Sequence, residues 1–320
     1  MRKFIQAIML AMFFIAIAAL LRTPNTDMAE MTAKYTNEFS QFVDNGNGLR
    51  IHYRDQGNPN GTPLVLLHGN SASLHTWEPL IDRLGEQYRI ITYTHPGHGL
   101  TGPNADHDYS YAGMKLALDL IVDALGLDRF VLGGNSMGGW ISWRYAVDHP
   151  EKIDALILLD ASGMPLRADE LEPKLPIGFR LLQSPIGRAL AEHYAPRRFI
   201  KNSVLQSVSK QDIVTAEMVD RYWELLRIPG NQKAAALRFT IDRELAMADR
   251  VAEIDAPTLI IWGEDDNLIN VTAATTFDEH LNNARVIIYP DIGHLPMEEA
   301  PDAVARDIDE FLVENFANSG

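Results

Sequence analysis

From residue 38 onward, short apolar runs alternate with longer stretches whose apolar residues recur every three or four positions. The runs at 49–53, 64–67, 89–93, 130–132, 155–159, 258–262 and 285–289 are nearly continuous in apolar character. Strands covered on both faces have that pattern, so they predict a mostly parallel sheet. The intervening segments 74–84, 112–125, 137–148, 272–281 and 303–316 carry the period of amphipathic helices. Asn45-Gly46-Asn47-Gly48 is a hairpin signal between two early strands, giving the sheet an antiparallel start. Alternating strand and helix predicts an α/β architecture of the doubly wound kind.

Residues 165–250 break this rhythm. They show no strand pattern, only helical stretches interrupted by Pro173, Pro176, Pro185, Pro196 and Pro229. An insertion of this size is too long for a loop and predicts a helical cap. The α/β body then occupies 38–164 and 251–320. Phe179, Leu181, Leu182, Ile186, Leu190, Tyr194, Tyr222, Trp223 and Leu226 are candidates to face an apolar ligand from the cap. Apolar residues at helical spacing also serve simply as core.

The N-terminus reads differently from the rest. Arg2 and Lys3 precede an apolar run over 4–21, broken only by Gln6. About 18 apolar residues is the lower limit for a membrane-spanning helix and exceeds the usual core of a cleavable signal. Ala16-Ile17-Ala18 fits a cleavage site, although Leu20 and Leu21 extend the run past it. Residues 1–21 are therefore expected to be a signal anchor, with a cleaved signal peptide as the alternative. Either places the body outside the cytoplasm, periplasmic or extracellular, because the positive flank stays inside. Residues 22–37, with Pro24, Asn25 and several Thr, are expected to be a polar linker.

Composition narrows the chemistry. The 320 residues carry 43 acidic and 28 basic side chains, a formal charge of −15, which disfavours nucleic acid as a partner. There is no Cys, so disulfides, thiolate metal sites and a cysteine nucleophile are excluded. The charge is unevenly spread: residues 165–250 hold 14 basic and 11 acidic side chains, a net of +3. Arg197-Arg198 within them is read as a solvated basic pair, with an anionic substrate or lipid headgroup as the sharper alternative.

Gly134-Asn135-Ser136-Met137-Gly138-Gly139 is the central motif. It lies between a strand ending near 132 and a helix beginning at 137, the strand–turn–helix setting of an exposed serine nucleophile. Small flanking residues let strand and helix approach, and the amide of Met137 points into the site at the positive end of the helix. A serine needs a base and the base an orienting acid. His294 follows the last strand and is the candidate base; His68 precedes the serine and has a backbone role beside Gly69. The acid is expected after the penultimate strand, in Gly263-Glu264-Asp265-Asp266. Asp266 is preferred, with Asp265 a close competitor and Asp160, after the strand ending at 159, a weaker one.

Over roughly 38–316 the chain resembles the α/β-hydrolase superfamily. Leu67-His68-Gly69-Asn70 is similar to its HG loop, Pro96-Gly97-His98-Gly99 to its PGxG turn, and Gly293-His294 to its histidine loop. Thr94 stands where the family usually has Asp. The resemblance implies an α/β-hydrolase fold and an oxyanion hole from the amides of Asn70 and Met137. It assigns the acid to Asp266 and implies no metal or organic cofactor. Ser136 separates the chain from the dehalogenases and epoxide hydrolases, which use Asp there. The stretch from Gly134 to Gly139 resembles the meta-cleavage-product hydrolases, which break carbon–carbon bonds. Those usually carry Trp after the catalytic His, where this chain has Leu295. The expectation is a serine hydrolase of carboxylic esters, lipid-like or small, working through an acyl-enzyme. The alternatives are a carbon–carbon hydrolase and a catalytically silent binding protein. Its partner is a small-molecule ester, with membrane attachment through the N-terminal segment and no obligate protein partner.

Overall fold

The computed structural model describes residues 22–165, 177–241 and 245–316. The expected anchor, 1–21, lies outside them, as do 166–176 of the expected cap. Eight strands form one sheet: β1 (Ser40–Asp44), β2 (Arg50–Gly57), β3 (Pro63–Leu67), β4 (Arg89–Tyr93), β5 (Phe130–Asn135), β6 (Ile153–Leu159), β7 (Thr258–Gly263) and β8 (Ala284–Tyr289). Their order is β1-β2-β4-β3-β5-β6-β7-β8. The β1–β2 and β2–β4 pairs are antiparallel and all others parallel. The hairpin at 45–48 thus makes an antiparallel edge, and crossover helices build the rest.

The helices are α1 (Met28–Tyr35), α2 (Glu78–Leu84), α3 (Tyr111–Ala124), α4 (Met137–Asp148), α5 (Ile177–Leu182), α6 (Pro185–Ala191), α7 (Arg197–Ser207), α8 (Ala216–Leu226), α9 (Asn231–Arg238), α10 (Thr272–His280), α11 (Pro296–Glu299) and α12 (Pro301–Phe316). On β3, Val65 and Leu67 enter one core with Met114, Leu118 and Ile141, while Leu64 and Leu66 enter another with Leu80, Leu84 and Phe311. Strand alternation thus feeds two helical layers, α3 and α4 on one face and α2 and α12 on the other. Among the described residues between β6 and β7 there are only helices, with no strand.

Two expectations change. The segment 22–37 is not wholly extended: α1 forms within it, capped where the Glu30 amide donates to Asp27 Oδ1 at 2.9 Å. Met31 is buried with Leu100, Leu225 and Ile228, so tertiary burial supports a helix that its polar composition hides. The helix expected over 74–84 begins as a 3-10 turn, Leu74–Trp77, and becomes α-helical only at Glu78, with Pro79 in its first turn. Among the described residues no helix is long and apolar enough to cross a membrane.

Candidate active site

Ser136 follows β5 directly and precedes α4. Its backbone sits at φ 54°, ψ −116°, a region that costs an L-residue of order 1–3 kcal/mol and persists only where the surroundings enforce it. The enforcement is visible: the Ser136 amide donates to Leu159 O, and its carbonyl accepts from the amides of Trp140 and Ser162, each at 3.0 Å. Close packing explains the glycines. A Cβ on Gly138 would lie 2.0 Å from Leu67 O, and one on Gly134 would lie 2.4 Å from the Gly138 carbonyl carbon. The side chain of Ser136 stays accessible while its neighbours Asn135 and Met137 are buried.

His294 is brought in by the loop between β8 and α11, and its amide donates to Ser207 O at 2.8 Å. Its Nδ1 lies 2.7 Å from Asp266 Oδ2, with the Asp266 side chain wholly buried. The other Asp266 oxygen accepts from the amides of Leu268 at 2.7 Å and Ile269 at 3.1 Å. Three-part anchoring of this kind keeps the carboxylate aimed at the ring. Asp265 points elsewhere: it is exposed and accepts from Ser209 Oγ at 3.1 Å. The structure therefore brings Asp266, and not Asp265, to the imidazole.

Asp160 stands behind this pair. It is fully buried at φ 44°, with one oxygen accepting the Gly263 amide at 3.0 Å. Burial first, and then the negative Asp266, push its carboxyl well above the usual carboxylate range. Ligand-type atoms of Asp160, Asp266 and His294 lie within 4.8 Å of one another. The donor set fits a hydrogen-bonded relay better than a metal, because both Asp266 oxygens are already engaged and Asp160 favours its neutral form.

The β3 loop closes the other side. A Cβ on Gly69 would lie 3.1 Å from Ser136 Cβ, so the loop carrying Asn70 packs directly on the serine. Met137 is the first residue of α4, where an amide has no intrahelical acceptor. Ser136, His294, Asn70 and Asn135 all line one cavity of about 310 Å³. Of the apolar residues singled out in 165–250, Phe179, Leu181, Leu182, Leu190, Tyr194, Tyr222 and Leu226 also line it. Ile186 and Trp223 do not: Ile186 is exposed, and Trp223 Nε1 donates to Ala195 O at 2.7 Å. Among the described residues, no Lys, Arg, Asp or Glu lines the cavity.

Three side chains tie the site together through partners that the sequence does not indicate. The Asn135 amide nitrogen donates to Leu159 O at 3.2 Å and to His294 O at 3.0 Å. Glu299, buried at the end of α11, accepts from the amides of Gly293, Ser209 and Lys210 at 3.0, 2.8 and 3.0 Å. Arg238, buried at the end of α9, donates to Asn70 Oδ1 at 2.9 Å and to Gly97 O at 3.0 Å. Each joins segments far apart in the chain, which no local pattern encodes.

Comparison with known proteins gives the family. Residues 62–301 match the family model of the alpha/beta hydrolase fold. Lipase 3 of Moraxella sp. (strain TA144) is 26% identical over 328 residues, covering 94% of this chain and 95% of the lipase. The 2-hydroxy-6-oxo-6-phenylhexa-2,4-dienoate hydrolase of Comamonas testosteroni is 25% identical over 297 residues, covering 89% and 99%. A membrane phospholipase A described as a bacterial virulence factor superposes with a TM-score of 0.75 at 24% identity, covering 98% of this chain and 99% of that one. With three quarters of its length inside the matched model, and with a strained serine between β5 and α4, the chain belongs to the α/β-hydrolase fold family.

Proposed function

We propose that this protein is a serine hydrolase of carboxylic esters with an apolar acyl group. The observation that carries the reading is the His294–Asp266 pair opening, with Ser136, onto a cavity lined mostly by apolar side chains. In this mechanism His294, oriented by Asp266, removes the Ser136 proton as Oγ attacks the ester carbonyl. The amides of Asn70 and Met137 receive the developing oxyanion, each donor contributing about 3 kcal/mol by analogy with measured cases. His294 then protonates the departing alcohol, and a water attacks the acyl-enzyme with His294 again as base. The similarity to two bacterial lipases, from Moraxella and Psychrobacter immobilis, supports an ester substrate. We further propose that the apolar segment 1–21 anchors the chain in a membrane with the catalytic body outside the cytoplasm.

Carbon–carbon hydrolysis is the second reading, favoured by the resemblance around Ser136 and by the dienoate hydrolase relative. A dienoate carries a carboxylate, and the described lining of the cavity is mostly apolar and holds no Lys or Arg, which supports the neutral ester. The deciding experiment is hydrolysis of p-nitrophenyl esters from acetate to palmitate beside a meta-cleavage dienoate. Labelling by a fluorophosphonate probe, lost in Ser136→Ala, distinguishes an enzyme from a silent binding module. Dienoate turnover without ester turnover reverses the assignment.

A further inference from the structure

The helices that roof the cavity carry exposed apolar side chains. Ile186 and Leu190, one turn apart on α6, are 76% and 59% exposed, and Leu181 on α5 is 42% exposed. Leu181 and Leu190 also line the cavity, so this patch is the rim of its mouth. Single exposed apolar residues are ordinary, but a cluster at the entrance to an apolar cavity marks an interaction surface.

Charge says what kind of surface. The chain as a whole is −15, yet residues 177–210 hold six basic side chains and one acidic. Arg180, Arg198 and Lys201 are exposed there. Exposed apolar side chains in a segment rich in exposed cations fit an interface between acyl chains and anionic headgroups, not an aqueous one.

The path of the chain gives a third and independent observation. The apolar segment 1–21 leads into Arg22, and Thr23 is fastened beside the same rim. Its amide donates to His193 O at 2.8 Å, and its hydroxyl oxygen accepts from the Ala195 amide at 2.9 Å. Tyr194 and Ala195, between and at these anchoring points, line the cavity. Thr26 and Pro24 extend the attachment, bonding to Arg227 and Glu224 at the end of α8. The first described residues after the most apolar stretch of the sequence are therefore fastened beside the cavity rim.

We infer that the α5–α6 rim, with Arg180, Arg198 and Lys201, docks on an anionic lipid bilayer, so that the cavity opens to the membrane and admits acyl groups from it. This rests on the esterase reading for what enters the cavity, and it adds where the substrate comes from: a lipid-borne ester, not one dissolved in water.

The absence of Cys makes the test direct. Ile186→Cys is labelled with a nitrobenzoxadiazole fluorophore in the full chain and reconstituted into phosphatidylcholine vesicles with or without phosphatidylglycerol. Leu116→Cys, exposed on α3 of the sheet layer, is the comparison. The label at 186 should shift to the blue and be quenched by a lipid-borne spin label, more strongly with phosphatidylglycerol. The label at 116 should do neither. A label at 186 that emits as in water in both vesicles overturns the inference, and so does a blue shift that the lipid-borne spin label fails to quench, which would mean that a second copy covers the rim.

The second arm uses Ile186→Glu and the triple variant Arg180→Glu, Arg198→Glu, Lys201→Glu, none of which lines the cavity. Both should hydrolyse dissolved p-nitrophenyl butyrate as the parent does and lose about tenfold or more of their turnover of a vesicle-borne lipid ester. Unchanged vesicle turnover rejects the docking. If the parent chain lacks butyrate turnover while the label at 186 is quenched, the esterase reading fails and the docking stands.

Discussion

The side-chain amide of Asn135 donates to the backbone carbonyl of His294 at 3.0 Å, tying the residue before the serine to the loop of the base. The same nitrogen donates to Leu159 O at 3.2 Å, so one buried amide joins β5, β6 and the histidine loop. In the proposed mechanism, proton transfer from Ser136 to His294 requires their separation to hold within a few tenths of an ångström, and Asn135 is placed to hold it. Asn135→Ala removes both bonds, takes this donor from the His294 carbonyl and leaves Leu159 O with the Ser136 amide alone. It should lower kcat about tenfold to a hundredfold with a small change in KM, and cost about 1–3 kcal/mol of stability. Steady-state kinetics with a denaturant titration checks this; a loss confined to KM would contradict the positioning role.

The three carboxylates near the imidazole should separate cleanly. Asp266→Ala removes the oxygen 2.7 Å from His294 Nδ1 and should reduce kcat by about a thousandfold or more. Asp265→Ala, exposed and facing Ser209, should stay within about threefold of the parent. Asp160→Asn substitutes a neutral group for a carboxyl that already favours neutrality and keeps an oxygen for the Gly263 amide. It should retain activity within about tenfold. A severe loss in Asp160→Asn beside a mild one in Asp266→Ala would exchange their roles.

Much of this arrangement is legible in the sequence because it is local. The apolar runs mark the central strands to within a few residues, since burial on both faces leaves no polar alternation to blur them. Loop order points to His294 and to the acidic run 264–266 as neighbours. Hidden features are those sustained by distant contacts. Helix α1 has few apolar residues of its own and forms against Leu100, Leu225 and Ile228. The choice of Asp266 over Asp265 depends on the turn that follows, where Leu268 and Ile269 grip one carboxylate and leave the other in solvent. Asn135, Glu299 and Arg238 act across separations of 159, 90 and 168 residues, beyond any spacing rule.

Buried histidines make stability depend on pH. Burial lowers His52 and His68 from 6.5 to about 3, and lowers His75, His95 and His98 well below 6.5. Arg238 adds its positive charge against His68, His95 and His98, and Arg54 does so against His52 and His75. The unfolded chain therefore binds more protons than the folded one between these limits. Stability is whole above about pH 6.5 and is lost as pH falls towards 3. Buried Asp160 and Glu298, whose carboxyls are raised, act in the opposite sense, losing stability as pH rises above the usual carboxylate range. Five imidazoles outweigh two carboxyls, so the denaturant midpoint should fall from about pH 7 to about pH 5. His95→Phe, which replaces a ring whose two nitrogens have no partner, should flatten that slope by about one proton. An unchanged slope would mean that His95 does not contribute.

Arg238 supports the loop proposed to hold the oxyanion. Its guanidinium is buried, donating to Asn70 Oδ1 and Gly97 O, and burial lowers it to about 9, still charged at neutral pH. A planar fork is suited to bridging two acceptors in different loops, where an ammonium would reach only one. Arg238→Met keeps most of the volume and removes both bonds, freeing the Asn70 side chain beside Ser136. Because the Asn70 amide is used only once negative charge develops, kcat should fall about tenfold to a hundredfold while KM for p-nitrophenyl butyrate stays near the parent value. Removing a desolvated charge offsets part of the lost hydrogen bonding, so the melting temperature should move little. Arg238→Lys should lie between parent and Met variant in kcat. Equal kcat in all three would show that the Asn70 loop holds its geometry without the guanidinium.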